Sequence, residues 1–342
     1  MLSRDTTLKE VARAADVHIS TASRALDPTK SWRISALTVE RIQAVAEELG
    51  YRPHIVARGL RRGTTTTVGV VVTDLENPFI GPLIRGIVGT LDEKGFVTLV
   101  AETFDNQESF KRILGHLMSR RVDAIITSAA RLTDAKLLRE AADEGSPVVL
   151  AVRSLPRSGL PAVVPDDRLG ARLAVEHLAG LGHRVFAQLK GRLDVSNFVD
   201  RAWGFDHCAA EWGLIDRTLA GESGEPTVPE GRRLMELTLG QGEPLPTAVF
   251  AHNDLLAIGA IDAIRAAGLD CPGDISVVGF NNGPLADHVS PSLSTIQMPN
   301  FEVGRRSAEL ALELIEADER RRRAIVVSPS LVVRDSSGPA PS

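Results

Sequence analysis

Residues 7–26, TLKEVARAADVHISTASRAL, predict two short helices joined by a tight turn. Apolar side chains recur at i, i+3 and i+4 spacing in both halves, and the break falls at residues 15–17. Two helices of this length bury too little surface to be stable alone, so a third apolar stripe in residues 37–50 is expected to complete a small core. The polar side chains left on the second helix are His18, Ser20, Thr21, Ser23 and Arg24.

The polar face of the second helix has the chemistry needed to contact DNA. Short hydrogen-bonding side chains and a guanidinium can reach base edges and phosphates when a helix lies in a major groove. An ordinary helical bundle with a polar face fits the pattern about equally well, because helix-turn-helix patterns are degenerate. In the DNA-binding interpretation, Ile19 and Ser20 begin the helix and discriminate bases. The residues that position it on phosphate or sugar are then Thr21, Ser23 and Arg24.

Residues 51–67, YRPHIVARGLRRGTTTT, form a basic and partly apolar segment. A helix of about two turns is too short to hold together in water, so the segment is expected to order only on contact with a partner. It suits a minor groove, where Arg58 and Arg61 neutralise phosphate and Leu60 inserts between base steps. On this segment alone, a flexible basic linker is the better interpretation.

Taken together, these segments and the intervening AEELGYRP resemble the lactose-repressor/galactose-repressor family of bacterial transcription regulators. The resemblance implies a small all-α helix-turn-helix head followed by an α/β, two-lobed core that is similar to periplasmic binding proteins. That core has two doubly wound parallel sheets and three hinge strands between its lobes. Segments that resemble the family core, in its usual order, are VGVVVTDLENPF, RRVDAIITSA, LGARLAVEHLAGLGHR, AVFAHNDLLAIGAI, DISVVGFNN and PSLSTIQMP.

The domain boundaries follow from these segments and from alternating strand-like and helix-like runs, which indicate parallel sheets covered on both faces. Asp105 is predicted to cap the helix that follows it. The tail is rich in proline, serine and glycine, without heptads, and is predicted to be disordered. The predicted divisions are a head (1–51), a hinge helix and linker (52–67), a core (68–334) and a tail (335–342). The predicted lobes are residues 68–161 with 296–322 and residues 163–292 with 324–334.

Composition and charge restrict the class of protein. The apolar and charged fractions are those of a soluble globular protein, and no signal peptide or membrane-spanning run is present, so a cytoplasmic protein without membrane contact is expected. Two cysteines without a CxxC pair disfavour a disulfide framework or a zinc site. Residues 1–63 carry 11 Lys+Arg and 7 Asp+Glu, a net +4, which leaves 28 and 37, a net −9, for residues 64–342. Nucleic acid should therefore bind only the head.

In a two-lobed core of this kind, a ligand binds at the carboxyl ends of the parallel strands, between the lobes. The loop 194–197 is also expected to lie at this ligand site. The resemblance assigns Arg201 the clamping of the effector, where its planar fork can hold a carboxylate or vicinal hydroxyls. The predicted effector-binding residues are Asp74, Asn77, Phe79, Arg153, Arg201, Asn253, Asp254 and Asn281.

Four of these residues have structural alternatives. Asp254 would cap the next helix, and Asn77 would only set a turn with the proline that follows it. Phe79 would be core packing, although an aromatic ring is a common pocket wall. Arg201 would belong to a surface ion pair.

Departures from the family pattern suggest what differs in this chain. Asn281 and Val152 stand where relatives usually carry acidic residues, so the pocket is more positive and we hypothesise an anionic effector, such as a sugar acid or sugar phosphate. His18 stands where a serine usually caps the recognition helix, which predicts a weaker cap. Asp16 replaces a turn glycine, and the loop DPTKSWR is about two residues longer than usual.

Enzyme motifs are absent: the sequence has no GxSxG, GxxxxGK[ST], GxGxxG or HExxH, and neither catalysis nor a cofactor is expected. The sequence therefore predicts a repressor that binds a near-palindromic operator as a homodimer, with a small-molecule effector between its lobes. A regulator controlled by a protein partner is the alternative. A solute-binding protein would share the lobes but not the head.

Overall fold

The computed structural model describes residues 6–27, 31–51, 65–316 and 323–341. The chain divides into two compact units, Met1–Thr65 and Thr66–Ser342. The predicted hinge residues Arg58, Leu60 and Arg61 lie outside the described residues.

The first unit contains the predicted three-helix core. Val11, Ala22 and Ile42 come from the three helices and are fully buried against one another. Thr7 caps the first helix in a reciprocal arrangement, in which its Oγ1 accepts from Glu10 N and its own N–H donates to the Glu10 carboxylate. The helices are α1 (Leu8–Ala14), α2 (Ile19–Ala25) and α3 (Ala36–Glu48), with a 3-10 turn at Ser31–Arg33.

The N-lobe is built on a six-stranded parallel sheet whose order is β11-β5-β4-β3-β1-β2. Its strands are β1 (Thr67–Val72), β2 (Val97–Glu102), β3 (Ala124–Thr127), β4 (Val148–Ala151), β5 (Ala162–Pro165) and β11 (Ala324–Val327). Its helices are α4 (Ile80–Asp92), α5 (Gln107–Ser119), α6 (Ala135–Asp143) and α11 (Asn300–Glu316). Buried valines and isoleucines of β1 and β3 pack against α4 and α11 on one face.

The C-lobe repeats this plan in the order β12-β10-β9-β8-β6-β7, and among the strands that the structure describes only β12 is antiparallel to its neighbour. Its strands are β6 (Val185–Leu189), β7 (Ile215–Asp216), β8 (Ala248–Ala251), β9 (Ser276–Asn281), β10 (Ser294–Gln297) and β12 (Ser330–Val332). Its helices are α7 (Asp167–Gly180), α8 (Ser196–Trp212), α9 (Val228–Leu239) and α10 (Asp254–Ala266).

The chain passes between the lobes three times, after β5, after β10 and after β11. Two predicted boundaries are wrong at these crossings. β11 lies in the N-lobe because Ala324 to Val327 pair with β5, although residues 324–334 were predicted in the C-lobe. β10 lies in the C-lobe beside β9, so the return to the N-lobe begins after Gln297. A strand of four residues has too short a pattern to reveal which sheet it joins.

The predicted disorder of the tail is also wrong for residues 335–341, because these residues are bonded to the C-lobe. Ser336 is fully buried: its Oγ donates to Val277 O (2.7 Å) and accepts from Ser294 N (2.8 Å). Gly338 O accepts from the His183 ring at 3.0 Å, and Ala340 N donates to Leu181 O at 3.0 Å. The tail therefore satisfies backbone and imidazole groups that would otherwise be buried without partners.

Ser336→Ala is expected to lower the free energy of unfolding by about 2 kcal/mol, because Ser294 N–H and Val277 C=O lose their side-chain partner. Urea titration followed by circular dichroism measures this change. Ser328→Ala, at an exposed serine between β11 and β12, is the control and should change stability by less than about 0.5 kcal/mol. Equal stability of the two variants would contradict a structural role for the tail.

Candidate functional site

A cavity of about 210 Å³ lies between the two lobes, at the carboxyl ends of their parallel strands. This is small beside the roughly 300–1,000 Å³ of typical ligand pockets, so it suits a compact molecule. Seven of the eight predicted effector residues line it: Asp74, Asn77, Phe79, Arg153, Arg201, Asn253 and Asn281. Asp254 does not.

Further polar residues line the cavity that were not among the predicted effector-binding residues. Ser128 follows β3, and Asn197 lies in the predicted loop at the start of α8. Asp105 and Glu225 line the cavity from opposite lobes. The strand-end rule could have found Ser128, whereas Glu225 lies in an irregular loop after β7 and gave no signal.

Three buried polar atoms at the cavity have no hydrogen-bond partner within the described parts of the chain. They are Ser128 Oγ, Asn197 Oδ1 and Asn281 Oδ1. Buried polar groups in native proteins are almost always paired, so their concentration around one cavity indicates that a polar ligand or ordered water completes them.

Arg201 forms the floor of the cavity through a buried ion pair. Its Nε lies 2.7 Å from Asp167 Oδ1, both side chains are at most 4 % exposed, and a second N–H donates to His252 O. Its guanidinium lies 3.7 Å from the ring centre of Phe280 and 5.3 Å from that of Phe198. Burial raises the pKa of Asp167 to about 7 against the opposing attraction of Arg201, and lowers the pKa of Arg201. The surface ion pair considered for Arg201 is therefore wrong.

Arg153 is a cation at the cavity without a carboxylate partner in the described residues. Its Nη1 donates to Ala130 O at 3.3 Å, and none of the ion pairs among the described residues includes it. Burial lowers its pKa to about 10, so it stays charged at neutral pH. Its backbone N–H closes a three-residue turn onto Ala151 O (2.7 Å), with Val152 at φ 68°. That conformation is strained for a β-branched residue, and such strain is concentrated at functional sites.

The capping roles predicted for two acidic residues belong instead to neighbouring asparagines. Asn253 Oδ1 accepts from Leu256 N (2.8 Å), which leaves Asp254 to accept from Gly283 N and Thr295 Oγ1. Burial raises the pKa of Asp254 to about 6. Asn106 caps α5, and Asp105 pairs with arginines at the cavity.

Asn77 and Phe79 combine both of their proposed roles. Asn77 Oδ1 accepts from Phe79 N at 3.1 Å, as expected for a turn, and still lines the cavity. Phe79 packs against apolar clusters of both lobes and forms part of the cavity wall.

The candidate DNA-contacting face is the exposed side of α2. His18 caps this helix: its Nδ1 accepts from Ser20 N at 3.3 Å and lies 2.8 Å from Ser20 Oγ. Arg24 Nε donates to Ser20 O at 3.1 Å. His18, Ile19, Ser20 and Arg24 are exposed, and Thr21 and Ser23 are half-buried. Ile19 is 41 % exposed, although its i, i+3 spacing to the buried Ala22 would place it on the apolar face of the helix.

Within the described residues, no helix is both long and apolar enough to span a membrane. No cluster of three or more His, Cys, Asp or Glu in the same parts of the chain could hold a metal ion.

A helix-turn-helix unit followed by a two-lobed α/β core with a polar interlobe cavity defines a class of DNA-binding transcriptional regulators. Residues 7–54 match the bacterial regulatory proteins of the lacI family, and residues 175–337 match a periplasmic binding protein-like domain. The chain belongs to the lacI family of bacterial transcriptional regulators. The predicted family and fold class are therefore confirmed.

Relatives match over almost the whole chain. The transcriptional regulator GalR of Escherichia coli K12 is 33% identical over 332 residues, covering 96% of this chain and 95% of GalR. The repressor PurR of Aliivibrio salmonicida is 30% identical, covering 96% and 98%. A structure of the lac repressor dimer bound to operator and the anti-inducer ONPF has a TM-score of 0.85 at 26% identity, covering 98% and 100%.

Proposed function

We propose that this regulator is a repressor that binds a near-palindromic operator as a homodimer and changes its operator affinity when a small molecule occupies the interlobe cavity. The unpartnered buried polar atoms around that cavity carry the proposal. A complex of the regulator CelR with cellobiose has a TM-score of 0.72 with this chain, and a regulator from Enterococcus faecium with bound ribose has 0.69. Both support a sugar or sugar derivative.

The proposal is tested by fluorescence anisotropy with the purified protein and operator DNA found by genome-wide binding-site mapping. A panel of sugars, sugar acids and sugar phosphates is added, and at least one should change operator affinity. Control by a protein partner would instead leave every metabolite without effect.

Homodimer formation is supported by the apolar edge of the N-lobe sheet. Val97, Leu99 and Val100 on edge strand β2 are 37–57 % exposed, and Phe104 just beyond it is 76 % exposed. An edge strand with exposed apolar side chains is normally covered by a partner, and two-fold symmetry would match the two halves of a palindrome.

The proposed DNA contacts come from α2 and from the segment 52–67. Ile19 and Ser20 are proposed to discriminate bases, and His18, Thr21, Ser23 and Arg24 to orient the helix on the backbone. Because Ser20 Oγ already lies 2.8 Å from His18 Nδ1, Ile19 is the freer of the two to contact a base. Arg58, Leu60 and Arg61 are proposed from sequence alone to contact the minor groove.

Leu60→Ala is expected to weaken operator affinity about ten- to thirtyfold, because a smaller side chain cannot keep a base step open. A mobility-shift titration at fixed salt measures the loss, and effector binding to the core should be unchanged. Undiminished operator affinity would contradict the proposed insertion of Leu60 between base steps.

The effector is proposed to be anionic, because Arg153 offers a guanidinium without a carboxylate partner in the described residues. The positions beside it, Val152 and Asn281, supply no negative charge. Three acidic residues line the cavity as well: Asp105 and Glu225 pair with Arg192, and Asp74 accepts from Glu76 N at 2.8 Å. A carboxylate or phosphate bound to Arg153 would form a charge-assisted, two-point contact.

Arg153→Gln is expected to reduce affinity for a hexonic acid or a hexose phosphate at least about thirtyfold, and affinity for the neutral hexose much less. Isothermal titration calorimetry measures all three ligands. Arg168→Gln, at an exposed arginine paired with Asp200, is the matched control and should bind like the parent. Binding of the neutral sugar alone by the parent protein would refute an anionic effector.

A further inference from the structure

Four charged side chains from both lobes meet beside the cavity and form what we call the interlobe cluster. The N-lobe contributes Asp105, after β2, and Arg131, after β3. The C-lobe contributes Arg192 and Asp194 from the loop after β6. Each lobe thus supplies one cation and one anion to the cluster, and Glu225 of the C-lobe pairs with Arg192 from outside it.

The cluster joins the lobes directly. Arg192 Nη1 lies 2.9 Å from Asp105 Oδ2, and Arg131 Nη1 lies 3.5 Å from Asp194 Oδ2. A backbone hydrogen bond from Leu132 N to Asp194 O, at 2.9 Å, crosses the same gap. These contacts hold the lobes together where Asp105 lines the cavity.

Each lobe also contains a complete ion pair of its own. Arg131 Nη2 lies 3.2 Å from Asp105 Oδ1 within the N-lobe, and Arg192 Nη2 lies 2.7 Å from Asp194 Oδ2 within the C-lobe. Separation of the lobes would therefore break the crossing contacts without leaving any of the four charges unpaired. Breaking an ion pair is costly mainly when it leaves a charge uncompensated, so the lobes can separate here at a low cost in free energy.

We propose that the interlobe cluster is a reversible latch that sets the balance between open and closed lobes, and with it the entry and release of the effector. This inference rests on the proposed effector cavity. The cluster residues are 16–39 % exposed, so salt partly screens the latch and its effect on the equilibrium is moderate.

The test measures lobe opening without an effector, by single-molecule FRET on the full-length protein. Dyes are attached at Lys111→Cys on α5 and Arg232→Cys on α9, two exposed positions in different lobes. The native Cys208 and Cys271 are buried and should not react. An excess of unlabelled chain ensures that each dimer carries a single labelled protomer.

Asp105→Asn combined with Arg131→Gln removes both crossing ion pairs and leaves the Arg192–Asp194 pair of the C-lobe intact, so it is expected to raise the open population about two- to fivefold. Arg172→Gln is the matched control, because Arg172 pairs with Glu176 and Glu211 inside the C-lobe alone. The control should leave the FRET distribution unchanged. Identical distributions for the two variants would overturn the latch.

A charge exchange provides the second, opposite test. Arg131→Asp combined with Asp194→Arg keeps an opposite-charge pair at both crossings but replaces the ion pair within each lobe by two like charges, and Glu225 is then the only partner of Arg192 within the described C-lobe. Opening then leaves like charges together, so the open population should fall below that of the parent, and 1 M KCl should restore it. An exchange variant that opens as much as the variant with Asp105→Asn and Arg131→Gln would refute the latch.

Failure of the latch and failure of the proposed function are distinguishable. If the cluster variants give the same FRET distribution as the parent, and a metabolite still changes operator affinity, only the latch would be rejected. If the open population shifts as predicted but no metabolite changes operator affinity, control by an effector would be rejected.

Discussion

Asp167→Asn is expected to lower the free energy of unfolding of the core by about 3–5 kcal/mol, because it leaves the Arg201 guanidinium without a counter-ion. Arg201 is 1 % exposed and its guanidinium lies 3.7 Å and 5.3 Å from the ring centres of Phe280 and Phe198, so water can replace little of the lost carboxylate. Asparagine keeps the size of the side chain and removes only its charge. The measurement is guanidinium chloride denaturation of the full-length protein.

Asp200→Asn is the control for this variant. Asp200 pairs with Arg168 at the same distance, 2.7 Å, but the two side chains are 30 % and 53 % exposed. Its loss should change stability by less than about 1 kcal/mol. Replacing both buried partners, with Asp167→Leu and Arg201→Met, should be less harmful than Asp167→Asn alone. Similar losses for Asp167→Asn and Asp200→Asn would contradict the structural role of the buried pair.

Ile42→Ala is expected to reduce specific operator affinity at least a hundredfold while leaving the core intact. Ile42 is fully buried between α1 and α2, and truncation of such a side chain costs about 2–5 kcal/mol. A unit of about 65 residues has little stability to lose, so most of the heads should unfold.

Leu37→Ala lies on the same helix and is the matched control, because Leu37 is 80 % exposed. Mobility-shift titration should give the parent affinity for Leu37→Ala and a severe loss for Ile42→Ala. Thermal denaturation should show an unchanged main transition for both. Full operator affinity of Ile42→Ala would contradict the claim that operator binding depends on the packed core of the three-helix head.

The sequence predicted the position of the cavity well because parallel strands fix it. All strands that end at the interlobe edge bring their next residues to the same place, so a rule about strand ends located Asp74, Arg153 and Asn281 without any knowledge of side-chain contacts. The same rule fails for Glu225, which follows an irregular loop.

The hydrogen-bond and ion-pair partners of the site residues were harder to predict from the sequence than the positions of those residues at the cavity. Asn253 and Asp254 are adjacent residues that can both accept from a helix N-terminus, and only the fold decides that Asn253 does so. The residue that neutralises Arg201 is Asp167, 34 positions earlier at the start of α7, and no spacing rule connects the two. Composition likewise suggested a disordered tail, since the groups that bind Ser336 are far away in sequence.

The anchored tail determines where reporters can be attached. Ala340 is hydrogen-bonded to Leu181 at the end of α7, so a fluorescent protein or affinity tag joined after Pro341 would begin beside that helix. A fusion that replaces residues 336–341 would instead remove Ser336 from β9 and β10 and expose the His183 ring, so labelling by truncation should yield a less stable regulator.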